Sequence, residues 1–363
     1  MPDMTHRAAS HAQTMGSHPQ PKAASHPMGA GRRPLVAAGT LVFSEPWDTE
    51  DAWQPWHLCV TVEKPGSYGY RRRYLKTPGL ALYSERFDTP CRLRGLATPD
   101  RLVLAVPLRL GPRSRYWGMP VAPDRLPVMC SGGVHWVVDA GQRHMMLLVA
   151  PSLIRRYVDA DLQVALANAA NVHALPVQPH AVEPLAAWLL GLIDEAAHGP
   201  EQWRRRAIHS LHQELLRQLV AAIDVPRLHR VKPDTSSRRA GLDRALEHLR
   251  VASLPGVNIP QLAEDVGVSA RTQEYGFRAM FDLTPRGFLY LLRLHAVRRE
   301  LIAPDADRRT VREIAEQWGF HQHGRFSGYY RRTFGELPSE TRERRGRPLG
   351  SEGPSGPGHR QEL

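Results

Sequence analysis

Leu262-Ala-Glu-Asp-Val-Gly-Val268 and Ile314-Ala-Glu-Gln-Trp-Gly-Phe320 are one seven-residue pattern written twice, at an offset of 52. In each copy a small alanine lets a second helix approach the first. A glycine four residues later stands where a tight turn needs positive φ. Val268 and Phe320 then fill the angle between the helices, and Ser269 is placed to N-cap the helix that follows. Both copies close in the same frame. Phe277, Phe281 and Pro285 answer Tyr330, Phe334 and Pro338 at an offset of 53, so the second turn holds one extra residue. A duplication of this kind predicts two helix-turn-helix motifs. Thr284-Pro285 supplies an N-cap and a first-turn proline for a connecting helix that runs to Ile302 and stops at Pro304. At 1.5 Å per residue it spans roughly 26 Å. With its flanking turns it sets the two second helices about 34 Å apart, one turn of DNA.

Across 241–345 the sequence resembles the AraC/XylS family of bacterial transcription regulators. The second copy carries the likeness: Val311-Arg-Glu-Ile-Ala-Glu-Gln-Trp-Gly-Phe-His-Gln-His-Gly-Arg-Phe-Ser-Gly-Tyr-Tyr-Arg-Arg-Thr-Phe-Gly-Glu-Leu-Pro338 is similar to that family's signature. Leu294-His-Ala-Val-Arg-Arg-Glu-Leu301, Gln317-Trp-Gly-Phe320 and Gly324-Arg-Phe326 look most like the branch containing the ethanolamine-operon regulator. A fainter likeness runs through Trp53-Gln54, Pro65-Gly66, Cys91 and Trp117-Gly-Met-Pro120. The resemblance implies an effector-sensing, often cupin-like N-terminal domain. It also implies activation of transcription from a promoter-proximal site, with promoter DNA and RNA polymerase as partners.

Residue roles follow from the resemblance and are checked against side-chain chemistry. In the first recognition helix Arg271, Glu274, Tyr275 and Arg278 face away from Phe277 and Phe281. Arginine forks onto guanine O6/N7, and glutamate accepts from cytosine N4. In the second, Gln322, His323, Arg325 and Ser327 meet the groove, while Arg331 and Arg332 suit phosphates. The alternative for any one of these arginines is a solvated surface charge. Three positions depart from the family. Gln273 stands where leucine is usual, Gly276 where alanine is common, and Gly328 where a longer residue is common. Glycine inside a helix costs about 1 kcal/mol relative to alanine, which makes the first recognition helix the weaker reader.

The 363 residues call for two folded domains plus extensions. Hydrophobic residues make up 42%, enough to build cores. The balance of 48 Lys+Arg against 36 Asp+Glu gives +12, which suits a polyanionic partner. The excess is spread along the chain, so charge alone does not locate a site. Apolar runs are too short to cross a bilayer, no secretory signal is visible, and three scattered cysteines argue against a disulfide scaffold. A cytoplasmic, nucleoid-associated location without membrane contact is expected.

Composition divides the chain further. Residues 1–38 and 346–363 read as disordered tails. Residues 39–155 hold short apolar runs, such as Leu102-Val-Leu-Ala-Val106 and Val134-His-Trp-Val-Val138, between turn signals at Pro65-Gly66, 98–100 and Ser131-Gly-Gly133. That texture predicts a β-rich effector-sensing domain. Residues 156–230 read as helical, with an antiparallel pair through Leu185, Leu189 and Ile193 and through Leu211, Leu215 and Leu219. Its second apolar face is either a homodimer contact or packing on the barrel. Residues 231–239 read as a polar linker and 240–345 as the DNA-binding domain. The expected fold class is α+β multidomain: an N-terminal β-rich cupin-like barrel with a helix pair, then an all-α domain with two helix-turn-helix motifs.

Metal-dependent cupins need paired histidine motifs, and His57, His135 and His144 are scattered. No phosphate loop, dinucleotide fingerprint or nucleophile elbow occurs. No catalytic residue, metal or resident cofactor is expected, and the chain reads as a non-enzyme. Aromatic residues are dense, and Trp53, Tyr116, Trp117 and Trp136 are the candidates for an effector pocket, with barrel core as the alternative. Arg71-Arg-Arg73 reads as a solvated turn, or as a partner for an anionic effector. The resemblance makes ethanolamine with cobalamin one candidate effector. Two other readings stay open: a constitutive DNA-binding regulator whose N-terminal domain only dimerises, and a cupin-type enzyme fused to a DNA-binding domain.

Overall fold

The computed structural model describes residues 36–53, 56–63, 68–97, 101–130, 132–198, 208–303 and 306–345. Residues 1–35 and 346–363, Gln54, the turns at Pro65-Gly66 and 98–100, Ser131 and Pro304 lie outside the described residues. The last three residues of the expected N-terminal tail are ordered instead: Val36 is buried in the core and a strand begins at Ala37. Two antiparallel sheets form the N-terminal half. The first has the order β1 (Ala37–Phe43), β3 (Tyr70–Thr77), β4 (Leu80–Phe87), β11 (Gln142–Val149), β6 (Leu102–Arg109), β9 (Arg125–Met129), β12 (Ala174–Pro176). The second has the order β2 (His57–Val62), β5 (Cys91–Ala97), β10 (Gly132–Val138), β7 (Arg115–Tyr116), β8 (Met119–Pro120). The expected barrel is therefore not closed. Helix α1 (Pro46–Ala52) joins edge strand β1 of one sheet to edge strand β2 of the other, so a helix rather than a ladder bridges them.

Period-2 alternation sorts the side chains. Trp136 and Leu93, paired across β10 and β5, point between the sheets. Their neighbours His135 and Arg94, also paired, point outward. Two expected turns are strand instead. Gly132 and Gly133 open β10. Arg71, Arg72 and Arg73 lie in β3, with Arg72 buried and its neighbours facing out. A run of arginines resembles a solvated turn until one of them finds a buried carboxylate.

Among the described residues five helices follow in sequence around the first sheet: α2 (Pro151–Tyr157), α3 (Ala160–Asn171), α4 (Pro179–His198), α5 (Ile208–Ala222) and α6 (Val225–Leu228). Leu185, Leu189 and Ile193 of α4 and Leu211, Leu215 and Leu219 of α5 are buried in one core with Leu82, Leu104 and Leu147 of the sheet. The apolar faces of this pair are thus used within the chain.

The C-terminal region comprises α7 (Ser237–Val251), α8 (Ile259–Asp265), α9 (Ala270–Phe281), α10 (Pro285–Ile302), α11 (Val311–Gln317), α12 (His323–Phe334) and α13 (Pro338–Arg345). The repeated turns are superposable in their hydrogen bonds. Gly267 N–H donates to Glu264 O at 3.0 Å and Val268 N–H to Ala263 O at 3.0 Å. In the second copy Gly319 N–H reaches Glu316 O and Phe320 N–H reaches Ala315 O, each at 2.9 Å. This is the Schellman pattern, and Gly267 (φ 67°) and Gly319 (φ 82°) take its left-handed position. Ser269 caps α9 by accepting from Thr272 N–H at 3.1 Å, and Thr284 caps α10 by accepting from Gly287 N–H at 3.0 Å.

The hydrophobic cores do not follow the sequence boundaries. Leu242, Leu246, Phe277, Phe281 and Phe288 belong to the same buried cluster as the inter-sheet residues Trp136, Leu93 and Tyr116. Leu294, Val297, Ile314, Phe320, Phe326 and Tyr330 form a separate cluster. The first helix pair shares its core with the sheets, while the second has a core of its own and reaches the sheets where α12 meets β2. No helix of the described residues is long and apolar enough to cross a membrane.

Candidate DNA-binding face and its junction with the sheets

Helix α9 divides cleanly into two faces. Gln273, Gly276, Phe277 and Met280 are buried, and Arg271, Glu274, Tyr275 and Arg278 are exposed. The exposed four line one surface depression. Arg271 donates to Tyr275 Oη at 3.1 Å, and Arg278 Nε to Glu274 Oε1 at 2.9 Å. These i,i+4 pairs hold the side chains side by side along the outer face. On α12, Arg325, Arg331 and Arg332 are exposed, and Gln322 stands exposed at the N-cap. Arg332 packs over the ring of Tyr329. His323 is 3.0 Å from Glu316, which also accepts from Arg312, and Ser327 is half-buried. Arg325 makes no hydrogen bond or ion pair among the described residues, so its guanidinium is uncommitted.

The C-terminal end of α9 is gripped by β5 and β10. His135 of β10 donates from Nδ1 to Met280 O at 2.7 Å, and Arg94 Nε of β5 donates to Phe281 O at 2.9 Å. Terminal helix carbonyls need donors from outside the helix, and here the second sheet provides them. Arg92 adds a 3.8 Å ion pair to Asp282, the left-handed residue that ends the helix. Gly133 packs directly on Phe281: a Cβ added there would come within 2.2 Å of the ring. Helix α1 holds the other side. Glu50 accepts from Val60 N–H at 2.7 Å and lies 2.8 Å from His295 Nδ1 of α10. Arg298 and Arg344 pack over the ring of Trp47 at 4.5 and 4.6 Å. None of these contacts carries a sequence signal, because each joins residues far apart in the chain.

A cavity of 280 Å³ lies at the inter-sheet core, walled by Trp53, Trp56, Tyr83 and Trp136 among others. Its polar lining includes Arg72, Glu85, Lys76 and Arg101. Glu85 is fully engaged. It accepts from Tyr70 Oη at 2.7 Å, from Arg72 at 2.7 Å, and from Trp53 Nε1 at 3.3 Å, and it pairs with His144 Nε2 at 2.9 Å. Burial pushes its carboxyl up, but Arg72, His144 and Tyr70 outweigh that and hold it at about 2. Trp136 Nε1, by contrast, is buried and has no acceptor among the described residues.

The four aromatic residues expected at an effector site fall in different places. Trp53 and Trp136 line the inter-sheet cavity. Tyr116 is buried beside it, 2.7 Å from His144 Nδ1. Trp117 sits at the junction, with its indole N–H donating to Gly133 O at 2.8 Å. The sequence does not reveal Arg72 and Glu85 as partners. The one available signal is the alternation of β3 and β4, which pairs Arg72 with Glu85 once the register is known.

Residues 262–344 match the family model described as a helix-turn-helix domain. The chain is 38% identical over 96 residues to the probable thc operon regulatory protein of Rhodococcus erythropolis, covering 26% of this chain and 29% of that one. It is 30% identical over 160 residues to XylDLEGF operon transcriptional activator 1 of Pseudomonas putida, covering 43% of this chain and 46% of that one. It thus spans less than half the length of either relative. Among solved structures it is similar to an AraC-type transcriptional regulator from Chromobacterium violaceum. That match has 27% identity and a TM-score of 0.27, and covers 30% of this chain and 95% of that one. The matched segment is a helix-turn-helix domain, and the relatives it resembles regulate transcription.

Proposed function

We propose that the protein is a transcriptional regulator of the AraC/XylS type, an activator that reads promoter DNA with both helix pairs and answers to a small molecule held by its sensor. One observation carries this reading: two helix pairs with the same turn hydrogen bonds and exposed arginine faces, joined by a buried 18-residue helix. Arg271, Glu274, Tyr275 and Arg278 read or flank bases from α9. Gln322, His323, Arg325 and Ser327 do so from α12, and Arg331 and Arg332 meet phosphates. The division expected from the sequence is a sensor (39–155), a helical segment (156–230), a linker (231–239) and a DNA-binding domain (240–345), between tails; two bounds move, because β1 begins at Ala37 and α7 already begins at Ser237. RNA polymerase and a second copy of the chain are its proposed partners, and the nucleoid its location. It works without a catalytic step or resident cofactor.

The cavity chemistry supports a small effector that stacks on aromatic rings and offers an acceptor to Trp136 Nε1. Assignment to the branch containing the ethanolamine-operon regulator rests on 294–301, 317–320 and 324–326. A cavity of 280 Å³ with three cationic side chains fits an acceptor-bearing molecule better than an amine with cobalamin. Coupling runs through β10, where Trp136 faces the effector and His135, one residue away, holds α9. An effector that binds one arrangement better than the other shifts the population toward it.

The test is binding of the purified protein to its own upstream intergenic DNA, over a salt series and against scrambled DNA of equal length. Tight, sequence-dependent binding with a steep salt slope is expected. Arg325→Ala weakens it by about 1–3 kcal/mol if Arg325 reads a base. Equal weak binding to both DNAs, with and without a panel of effectors, overturns the reading.

A further inference from the structure

We propose that the cleft between the sensor and the first helix pair is a second ligand site, separate from the inter-sheet cavity, and that it takes a small aromatic carboxylate. The cleft measures 320 Å³, within the range of small-molecule sites. Four regions distant in sequence build it: Trp117 from the turn between β7 and β8, His173 from the turn after α3, Arg238 and Arg239 from the start of α7, and Gly276 and Met280 from α9. It exists only while α9 is docked.

Its chemistry is two-sided. The indole of Trp117 stacks on the His173 ring, with centroids 4.4 Å apart and planes at 8°. The thioethers of Met119 and Met280 stand beside them and offer a soft surface to another ring. On the rim, Arg239 is committed to Asp243 at 2.9 Å and to His173 at 3.0 Å. Asp234 accepts from Ser236 N–H at 2.9 Å. Arg238 is exposed and makes no hydrogen bond or ion pair among the described residues. Its planar fork matches a carboxylate in two parallel hydrogen bonds.

Two further observations point to this place. Among the described residues, only Trp117 (φ 52°), His173 (φ 56°) and Asp282 (φ 56°) take a left-handed backbone without being glycine. The first two line the cleft, and the third ends the helix that forms its wall. Trp117 and Gly118 form the two-residue turn between β7 and β8, which requires positive φ at both positions; asparagine or glycine is usual there, so a bulky tryptophan is kept against the cleft at a cost in backbone strain. The second observation is Gly276. A Cβ there would meet Leu242 Cβ at 3.4 Å, which is ordinary contact, so packing does not demand glycine. Glycine destabilises a helix interior, and what its bare backbone does here is keep the cleft wall open. A ligand bound only by the docked form stabilises docking and biases the presentation of α9.

The test is calorimetric titration of the full chain with 1-naphthoate, and it does not depend on the DNA-binding reading. Four proteins are compared: wild type, Arg238→Gln, Gly276→Leu, and Ala81→Phe, which fills the inter-sheet cavity. Circular dichroism checks that each is folded. We expect a binding event that Arg238→Gln weakens about tenfold or more, that Gly276→Leu abolishes, and that Ala81→Phe leaves in place. Because Arg238 is exposed, its variant keeps the question decidable even if Gly276→Leu does not fold. Absence of saturable binding to wild type overturns the proposal. So does binding that Arg238→Gln leaves unchanged, or binding lost in Ala81→Phe.

Discussion

Burial keeps the His135 ring neutral; its Nδ1 donates to Met280 O, and its Nε2 is buried with no partner among the described residues. Burial, and then the charge of Arg94, lower its pKa to about 4. Burial, and then Arg239, lower His173 to about 3. Both folded values lie below the unfolded value near 6.5, so the unfolded chain takes up protons first as pH falls. Stability is therefore intact above about pH 6.5 and is lost progressively below it, down to the folded pKa values. At pH 5 each histidine removes on the order of 2 kcal/mol. Urea unfolding at pH 7 and pH 5 measures this. His135→Gln, which keeps a donor but does not titrate, should show a drop smaller by about that amount. An identical drop in the variant would remove His135 from the account.

At the scale of elements, the duplication makes a paired prediction. Gly319 sits at φ 82°, where an L side chain is strained, so Gly319→Ala should destabilise by roughly 1–2 kcal/mol. Gly276 lies in ordinary helical backbone with room for a Cβ, so Gly276→Ala should stabilise by up to about 1 kcal/mol. Denaturant midpoints of the two variants should move in opposite directions, and a shared direction would contradict the local account. Ser269, Thr284, Gly267 and Gly319 were legible in the sequence because caps and turns are set by residues within a few positions. Arg71–Arg73 and Gly132-Gly133 were not. Whether an arginine is buried or a glycine is strand depends on what lies across the sheet or on the opposing helix.

At the scale of the molecule, the two sheets and the first helix pair share one core while the second pair has its own. Docking therefore acts on α9 more directly than on α12. Gly133→Val places side-chain atoms where Phe281 now packs, and should undock the first helix pair while leaving both domains folded. The expected signs are unchanged far-ultraviolet circular dichroism, a larger radius of gyration by X-ray scattering, and faster proteolysis within 231–236. A compact, protected variant would show that the interface repacks around the added side chain.

The sequence by itself determined the repeat, its turns, its caps, the connecting helix and the outward face of each second helix. All of these follow from periodicity and short-range hydrogen bonding. Only the tertiary structure decided that the sheets stay open, that Glu85 gathers Tyr70, Arg72, Trp53 and His144, and that His135 and Arg94 cap a helix of another domain. Those outcomes depend on strand register and on the burial of one domain against another. A register can place residues 145 positions apart within a hydrogen bond, and local sequence carries no record of it.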